Sequence, residues 1–355
     1  MTDWMKQLSK MSGAVNHDYD PLEHTLKSSS PGINWAFANR GYGLPFGYSA
    51  IVWGPPKGGK SVICNSLIGN LHQTDPEAFT ITFNTELRGA LQQSDESLQK
   101  FGIDPLRHKT YDVNKPSEIF DRIEKDIGKM CDQGFPLKVI IIDSLSDVRG
   151  RRSLNADTVD TQQIGDHAVT IKDGLERIIP ICRKHKIALL CTAHARAEMD
   201  AEEQRRKKTL KMQGAWATQH KIEYFIYVAR NKWSKGAKDA AGRELVNPDL
   251  FDFRNKNMQT GHRIQFLVEG SSIGQAGRQV EFTLDYTKGI INTHEEVFQL
   301  GTNFGIIEQR GAWYYYGENK WNGIKQALDG LAENEELQKE ITQLVFEADR
   351  KALVS

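Results

Sequence analysis

Residues Gly54, Pro55, Pro56, Lys57, Gly58, Gly59, Lys60 and Ser61 form an uninterrupted G-x-x-x-x-G-K-S run, followed by Val62. Each position has a physical task. The glycines let backbone N–H groups close around phosphate oxygens, the lysine reaches the β- and γ-phosphates, and the hydroxyl holds Mg²⁺. The chemistry is binding of a nucleoside triphosphate with Mg²⁺. A glycine-rich turn without a ligand could have the same letters, so the flanks decide. Ser49 to Trp53 is a short apolar run of strand formers, and Val62 to Leu71 has apolar residues at helical spacing. A strand therefore feeds a turn that opens a helix, and the positive end of that helix favours anions.

Three further residues could complete such a site. Leu137–Ile142 is an apolar strand that delivers Asp143 and Ser144 to its carboxyl end, where a parallel α/β sheet binds its ligand. Asp143 would hold Mg²⁺, directly or through water; its alternative is an ordinary acid in a turn. Thr80–Phe83 delivers Glu86 in the same way, and its residues leave two roles open, orienting the attacking water or capping the next helix. His194 ends a further strand, Ala188–Ala193, facing either the γ-phosphate or its own packed surroundings.

The elements that must position these residues follow an alternating pattern. Strands are expected over 50–53, 79–83, 138–142, 187–192, 224–229, 264–268 and 280–285, with helices over 61–72, 117–133 and 168–185. Pro180 is expected to kink or end the last helix. The fold class is α/β, a mostly parallel sheet covered on both faces, with the later strands as an antiparallel extension. Residues 231–262 are polar and weakly periodic, and are expected to form a long surface hairpin or insertion. Three regions are expected: residues 1–30, a short helix with Trp4, Met5, Leu8 and Met11 on one face plus a linker; residues 31–294, the core; and residues 295–355, a small α+β domain.

Composition excludes some classes and leaves others. The chain has 355 residues, 39% of them hydrophobic, enough for a large core. It contains no apolar run of membrane-spanning length, and Met1 to Lys6 lacks the apolar stretch of a secretory signal. Cys64, Cys131, Cys182 and Cys191 lack metal-ligand spacing and read as reduced core thiols of a cytoplasmic protein. Lys and Arg total 46, as do Asp and Glu, so any attraction to nucleic acid must be local. Two basic clusters stand out: Arg149, Arg151 and Arg152, and Arg205, Arg206, Lys207, Lys208 and Lys211.

From about Lys27 to Leu353 the chain resembles the RecA-type recombinases. Gly41 to Tyr48 with the phosphate loop resembles the family's entry to its core. Glu86 matches its catalytic glutamate, Asp143-Ser144 its magnesium-binding strand end, Gln163-Ile164-Gly165-Asp166 its first DNA-binding loop, and Gly311 to Tyr316 its C-terminal domain. His194 stands where bacterial members have a phosphate-sensing glutamine, as in the phage branch typified by UvsX, which favours a phage over a bacterial source. The resemblance implies a catalytic set of Lys60, Glu86 and His194. It also implies a filament of this chain on single-stranded DNA, with ATP between subunits and the N-terminal helix docked on the next copy. Pairing with double-stranded DNA, strand exchange, DNA-stimulated ATP hydrolysis, and single-strand-binding and loader proteins as partners are implied too. DNA contacts would come from Arg149, Arg151, Arg152, Gln163 and Gly165 in the first loop. Arg196, Arg205, Arg206, Lys207, Lys208, Lys211 and Gly214 would supply them in the second. Phosphate contacts of this kind give salt-dependent, sequence-tolerant binding. The family's two cross-subunit lysines are missing from Val268–Gln275, so cross-subunit sensing would either fall to another residue, such as Arg278, or be weaker. A RecA-fold helicase or switch ATPase without strand exchange is the alternative, and a non-catalytic mediator a third reading.

Overall fold

A computed structural model describes residues 20–87, 94–150, 166–199, 210–213, 218, 220–231, 249–252, 254 and 258–354. The core is built on one large sheet. Six strands form its parallel part: β3 (Ser49–Gly54), β4 (Phe79–Asn84), β5 (His108–Asp112), β6 (Leu137–Asp143), β7 (Ala188–Ala197) and β9 (Tyr224–Arg230). They lie in the order β9-β3-β7-β6-β4-β5. Antiparallel strands β11 (Gln259–Ser271), β12 (Gln279–Asp285) and β13 (Gly289–Ile291) extend the β9 edge. Short β8 (Leu210–Met212) pairs with the end of β7, and β10 (Asp249–Phe251) with β11. Ahead of the sheet, β1 (Thr25–Leu26) and β2 (Leu44–Pro45) pair with each other.

The parallel strands are apolar on both faces because both faces are covered. Ala50, Val52, Val139, Ile141 and Leu190 pack under helix α2 (Lys60–Thr74), with α1 (Pro31–Ala36) adding Ile33 and Ala36 to the same core. The alternate residues Ile51, Ile140, Ile142, Leu189 and Cys191 pack on the opposite face against Leu175 and Ile178. Those two belong to a long helix, Asp166–Lys184, that runs through Pro180 to Lys184, so the proline does not end it. Between α2 and that helix come α3 (Asp95–Gln99) and a helical run, α4, over 117–132, wound largely as π-helix; Asp166–Lys184 is thus α5. All four cysteines are buried and free.

The last part of the chain has a core of its own. Helices α6 (Thr293–Asn303), α7 (Gly323–Ala332) and α8 (Glu335–Val354) enclose Val297, Leu300, Ile341 and Val345. A three-stranded meander of β14 (Glu308–Arg310), β15 (Trp313–Tyr316) and β16 (Asn319–Asn322) adds Tyr314 and Trp321. This core is tied back to the sheet by charge. Arg278 donates to Asp349 of α8 at 2.9 Å, its guanidinium lies over Trp35, and Tyr42 donates to the same carboxylate at 2.9 Å. Arg278 is therefore not the free cation expected to replace the cross-subunit lysines. It is 11% exposed, and its charge is spent within its own chain.

The expected strands and helices are found, each within a few residues except that β7 runs on to Ala197 and β11 is longer at both ends. β5 was not expected: its sequence His-Lys-Thr-Tyr-Asp lacks an apolar run, as an edge strand can. The expected N-terminal helix over residues 1–16 lies outside the described residues. So does most of the insertion after Asn231, of which β10 and its pairing to β11 are described.

Candidate nucleotide site

The register of the parallel sheet assembles the site. Gly54 at the end of β3 is level with His194 on β7, and Asn84 at the end of β4 is level with Asp143 on β6. Residues more than a hundred positions apart thus meet on one carboxyl edge, where strand order reverses around β3.

The phosphate loop has the geometry its letters require. A Cβ on Gly54 would lie 1.9 Å from the Val228 carbonyl oxygen, so β9 can approach this closely only beside glycine. Gly59 has φ +104 and precedes α2 with no side chain capping the helix. The first N–H groups of α2 are thus open toward the cavity, an arrangement that suits phosphate. Lys60 is 8% exposed and its ammonium donates to the carbonyls of Gly54 at 3.2 Å and Pro55 at 3.1 Å. Burial lowers its pKa, opposed by Asp143, Glu86 and Asp147.

Ser61 donates its hydroxyl to Asp143 at 2.9 Å, and Thr192 donates to the other carboxylate oxygen at 2.5 Å. A hydroxyl and a carboxylate oxygen already in contact are the hard oxygen donors that Mg²⁺ takes, and their placement fits that ion. Thr85 accepts from the Ser144 N–H at 2.7 Å and donates to the Ser144 carbonyl at 2.6 Å, bracing the same strand end.

A cavity of about 810 Å³ opens over these groups, within the range of cofactor pockets. Pro56, Lys57, Gly58, Gly59, Lys60, Ser61 and Val62 line one part of it, and Glu86, Asp143, Asp147 and His194 another. Gly54 and Pro55 do not line it; they supply the carbonyls that hold Lys60. Glu86 Oε1 lies 3.5 Å from His194 Nε2, and both side chains are about a quarter exposed. The described helix after Glu86 is capped by Ser94, whose hydroxyl accepts from Ser97 N–H, so Glu86 does not cap α3.

The candidate DNA contacts divide. Arg149 and Arg196 are described and exposed. Lys211 sits opposite Arg196 across the β7–β8 pair, and its ammonium is 2.5 Å from Glu198. Arg151, Arg152, Gln163, Gly165, Arg205, Arg206, Lys207, Lys208 and Gly214 lie outside the described residues.

Several site residues gave no sign in the sequence. Thr192 and Asp147 belong to no motif, and their roles depend on which strands become neighbours. His262 of β11 and Leu284 of β12 also line the cavity, because the antiparallel extension lies beside the phosphate loop.

Known proteins match this chain in two ways. The model of the RecA C-terminal domain family matches residues 295–349, the part with its own core. Protein RecA of Wigglesworthia glossinidia brevipalpis is 38% identical over 88 residues, which is 24% of this chain and 26% of that protein. The first relatives are thus matched over only about a quarter of their own length. Longer matches are more distant. Protein RecA of Thermus thermophilus is 19% identical over 88% of this chain and 82% of its own, and that of Nostoc punctiforme 23% over 97% and 86%. RecA proteins thus align along nearly the whole chain at low identity, and the RecA C-terminal domain model matches where its second core begins, so the chain is similar to RecA proteins in both its parts.

Proposed function

We propose that the protein is an ATP-dependent DNA recombinase. It polymerises on single-stranded DNA, pairs that strand with homologous duplex, exchanges strands, and hydrolyses ATP to ADP and phosphate under stimulation by DNA. One observation carries the reading: Lys60, Ser61, Glu86, Asp143 and His194, from four strand ends, line a single cavity.

In this reading Lys60 leaves the carbonyls of Gly54 and Pro55 for the β- and γ-phosphates, while the open N–H groups of α2 cradle the remaining oxygens. Mg²⁺, when bound, neutralises charge on the phosphates. Ser61 and Asp143 hold it, and Thr192 fixes the carboxylate. Glu86 orients the attacking water. His194 contacts the terminal phosphate and passes the nucleotide state along β7 to Arg196 and the basic stretch beyond, favouring its contact with DNA while ATP is present. Further copies of the chain complete the filament, and single-strand-binding and loader proteins act on it, in the cytoplasm. No described helix is long and apolar enough to cross a membrane.

The test is ATP hydrolysis by the purified protein with and without single-stranded DNA. Strong stimulation supports the recombinase. Turnover indifferent to DNA points to a switch or motor ATPase, and ATP binding without turnover to a mediator.

A further inference from the structure

Asp147 lies in the turn Leu145–Asp147 after β6, and no motif includes it. One of its carboxylate oxygens, Oδ2, accepts from the Ser144 hydroxyl at 2.8 Å and lies 3.0 Å from His194 Nε2. The same turn holds the same strand a second time, for the His194 N–H donates to Ser146 Oγ at 2.9 Å. Both groups facing Nε2, Asp147 and Glu86, are carboxylates, so this nitrogen carries a proton and donates it. Nδ1 is buried without a partner among the described residues.

The ring is therefore held by an acceptor that stands inside the nucleotide cavity. A terminal phosphate oxygen arriving there seeks the same proton. Whatever holds His194 without that phosphate must be released when the phosphate engages it. The strand that carries His194 runs on to Arg196 and pairs with β8, so release of the ring bears on the segment leading to the basic stretch.

We propose that Asp147 is a positioning residue that competes with the terminal phosphate of ATP for the Nε2 proton of His194, and so sets how strongly the protein prefers ATP to ADP. The proposal rests on the reading of His194 as the phosphate-contacting residue. The triphosphate must displace the carboxylate to gain the imidazole, whereas the diphosphate leaves the pair intact.

The test is the ratio of dissociation constants for ADP and a non-hydrolysable ATP analogue, both with Mg²⁺. It is measured on the full chain for wild type, Asp147→Ala, Asp147→Asn, His194→Ala and the Asp147→Ala/His194→Ala double variant. Asp147→Ala should raise the preference for the ATP analogue about tenfold, the scale of one charge-assisted hydrogen bond. Asparagine keeps an acceptor but not the charge, so it should fall between, and it serves as the readout if alanine impairs folding. In the His194→Ala background the Asp147 change should have no effect. Equal changes for both nucleotides, an unchanged ratio in both folded Asp147 variants, or an effect that survives loss of His194 would overturn the proposal. The last outcome would mean that Asp147 repels the phosphate directly. Wild-type protein binding neither nucleotide would instead overturn the proposed function itself.

Discussion

Thr192→Val is the most informative single change at the metal-binding end of the site. Valine keeps the branched shape and replaces one hydroxyl by a methyl group. Thr192 is fully buried and its hydroxyl gives Asp143 Oδ1 a 2.5 Å hydrogen bond, while Ser61 serves Oδ2. Asp143 is 6% exposed, so water cannot readily replace the lost donor. Leaving a buried charged acceptor short of one partner costs about 1–3 kcal/mol, which should appear as a lower midpoint in urea or heat. The second consequence is specific to function. Groups that orient a metal ligand are typically worth about 10–100-fold in metal affinity or activity, so the Mg²⁺ concentration for half-maximal ATP hydrolysis should rise by that factor. Titrating Mg²⁺ at saturating ATP separates the two effects, because turnover at high Mg²⁺ should recover in the folded fraction. A variant that loses stability but keeps the wild-type Mg²⁺ requirement would refute the assignment of Asp143 as the oriented ligand.

Lys60→Ala should abolish measurable ATP turnover, and hydrolysis that persists would show that the phosphates lie elsewhere. Glu86→Gln should still bind ATP but lose hydrolysis by about 10²–10⁴-fold and remain longer on DNA, as measured by dissociation of a labelled oligonucleotide. Normal turnover in that variant would leave Glu86 a structural role. Glu296 of α6 is buried and accepts from the Ser30 hydroxyl at 2.5 Å and the Gly32 N–H at 2.9 Å, and burial pushes its carboxyl from 4.5 up to about 7. The folded state thus binds the proton that the unfolded state has released between these values. Stability from this group is greatest below the unfolded pKa and falls as pH rises from about 4.5 to 7, by on the order of 3 kcal/mol. Glu296→Gln should remove that part of the pH dependence in melting curves recorded across this range, and an unaltered profile would show that the carboxylate is accommodated without cost.

Local pattern revealed most of the core and little of what joins its parts. Strands β3, β4, β6 and β7 were legible because parallel strands buried on both faces are nearly continuous apolar runs, and the phosphate loop because each of its positions has one physical task. β5 was not, since an edge strand needs no apolar run. Asp147 and Thr192 escaped because their partners lie 47 and 49 positions away along the chain, and register depends on the whole sheet. Arg278 misled for the same reason. Its sequence neighbours suggested an available cation, whereas the fold sets it against Asp349 of α8, 71 residues on. The basic run from Arg205 to Lys208 could be read as a charge cluster, but charge alone does not say which surface it meets.

The central claim is that nucleotide state governs DNA affinity through one connected piece, from the phosphate loop through His194 and along β7. The most direct measurement is the affinity of the full chain for a labelled single-stranded oligonucleotide with a non-hydrolysable ATP analogue, with ADP and without nucleotide, at several salt concentrations. Binding should be about 5–150-fold tighter with the ATP analogue than with ADP, the usual span of coupling between sites, and should weaken linearly on a log–log salt plot. Equal affinity in all three states would contradict the account, because the nucleotide site and the DNA site would then be independent.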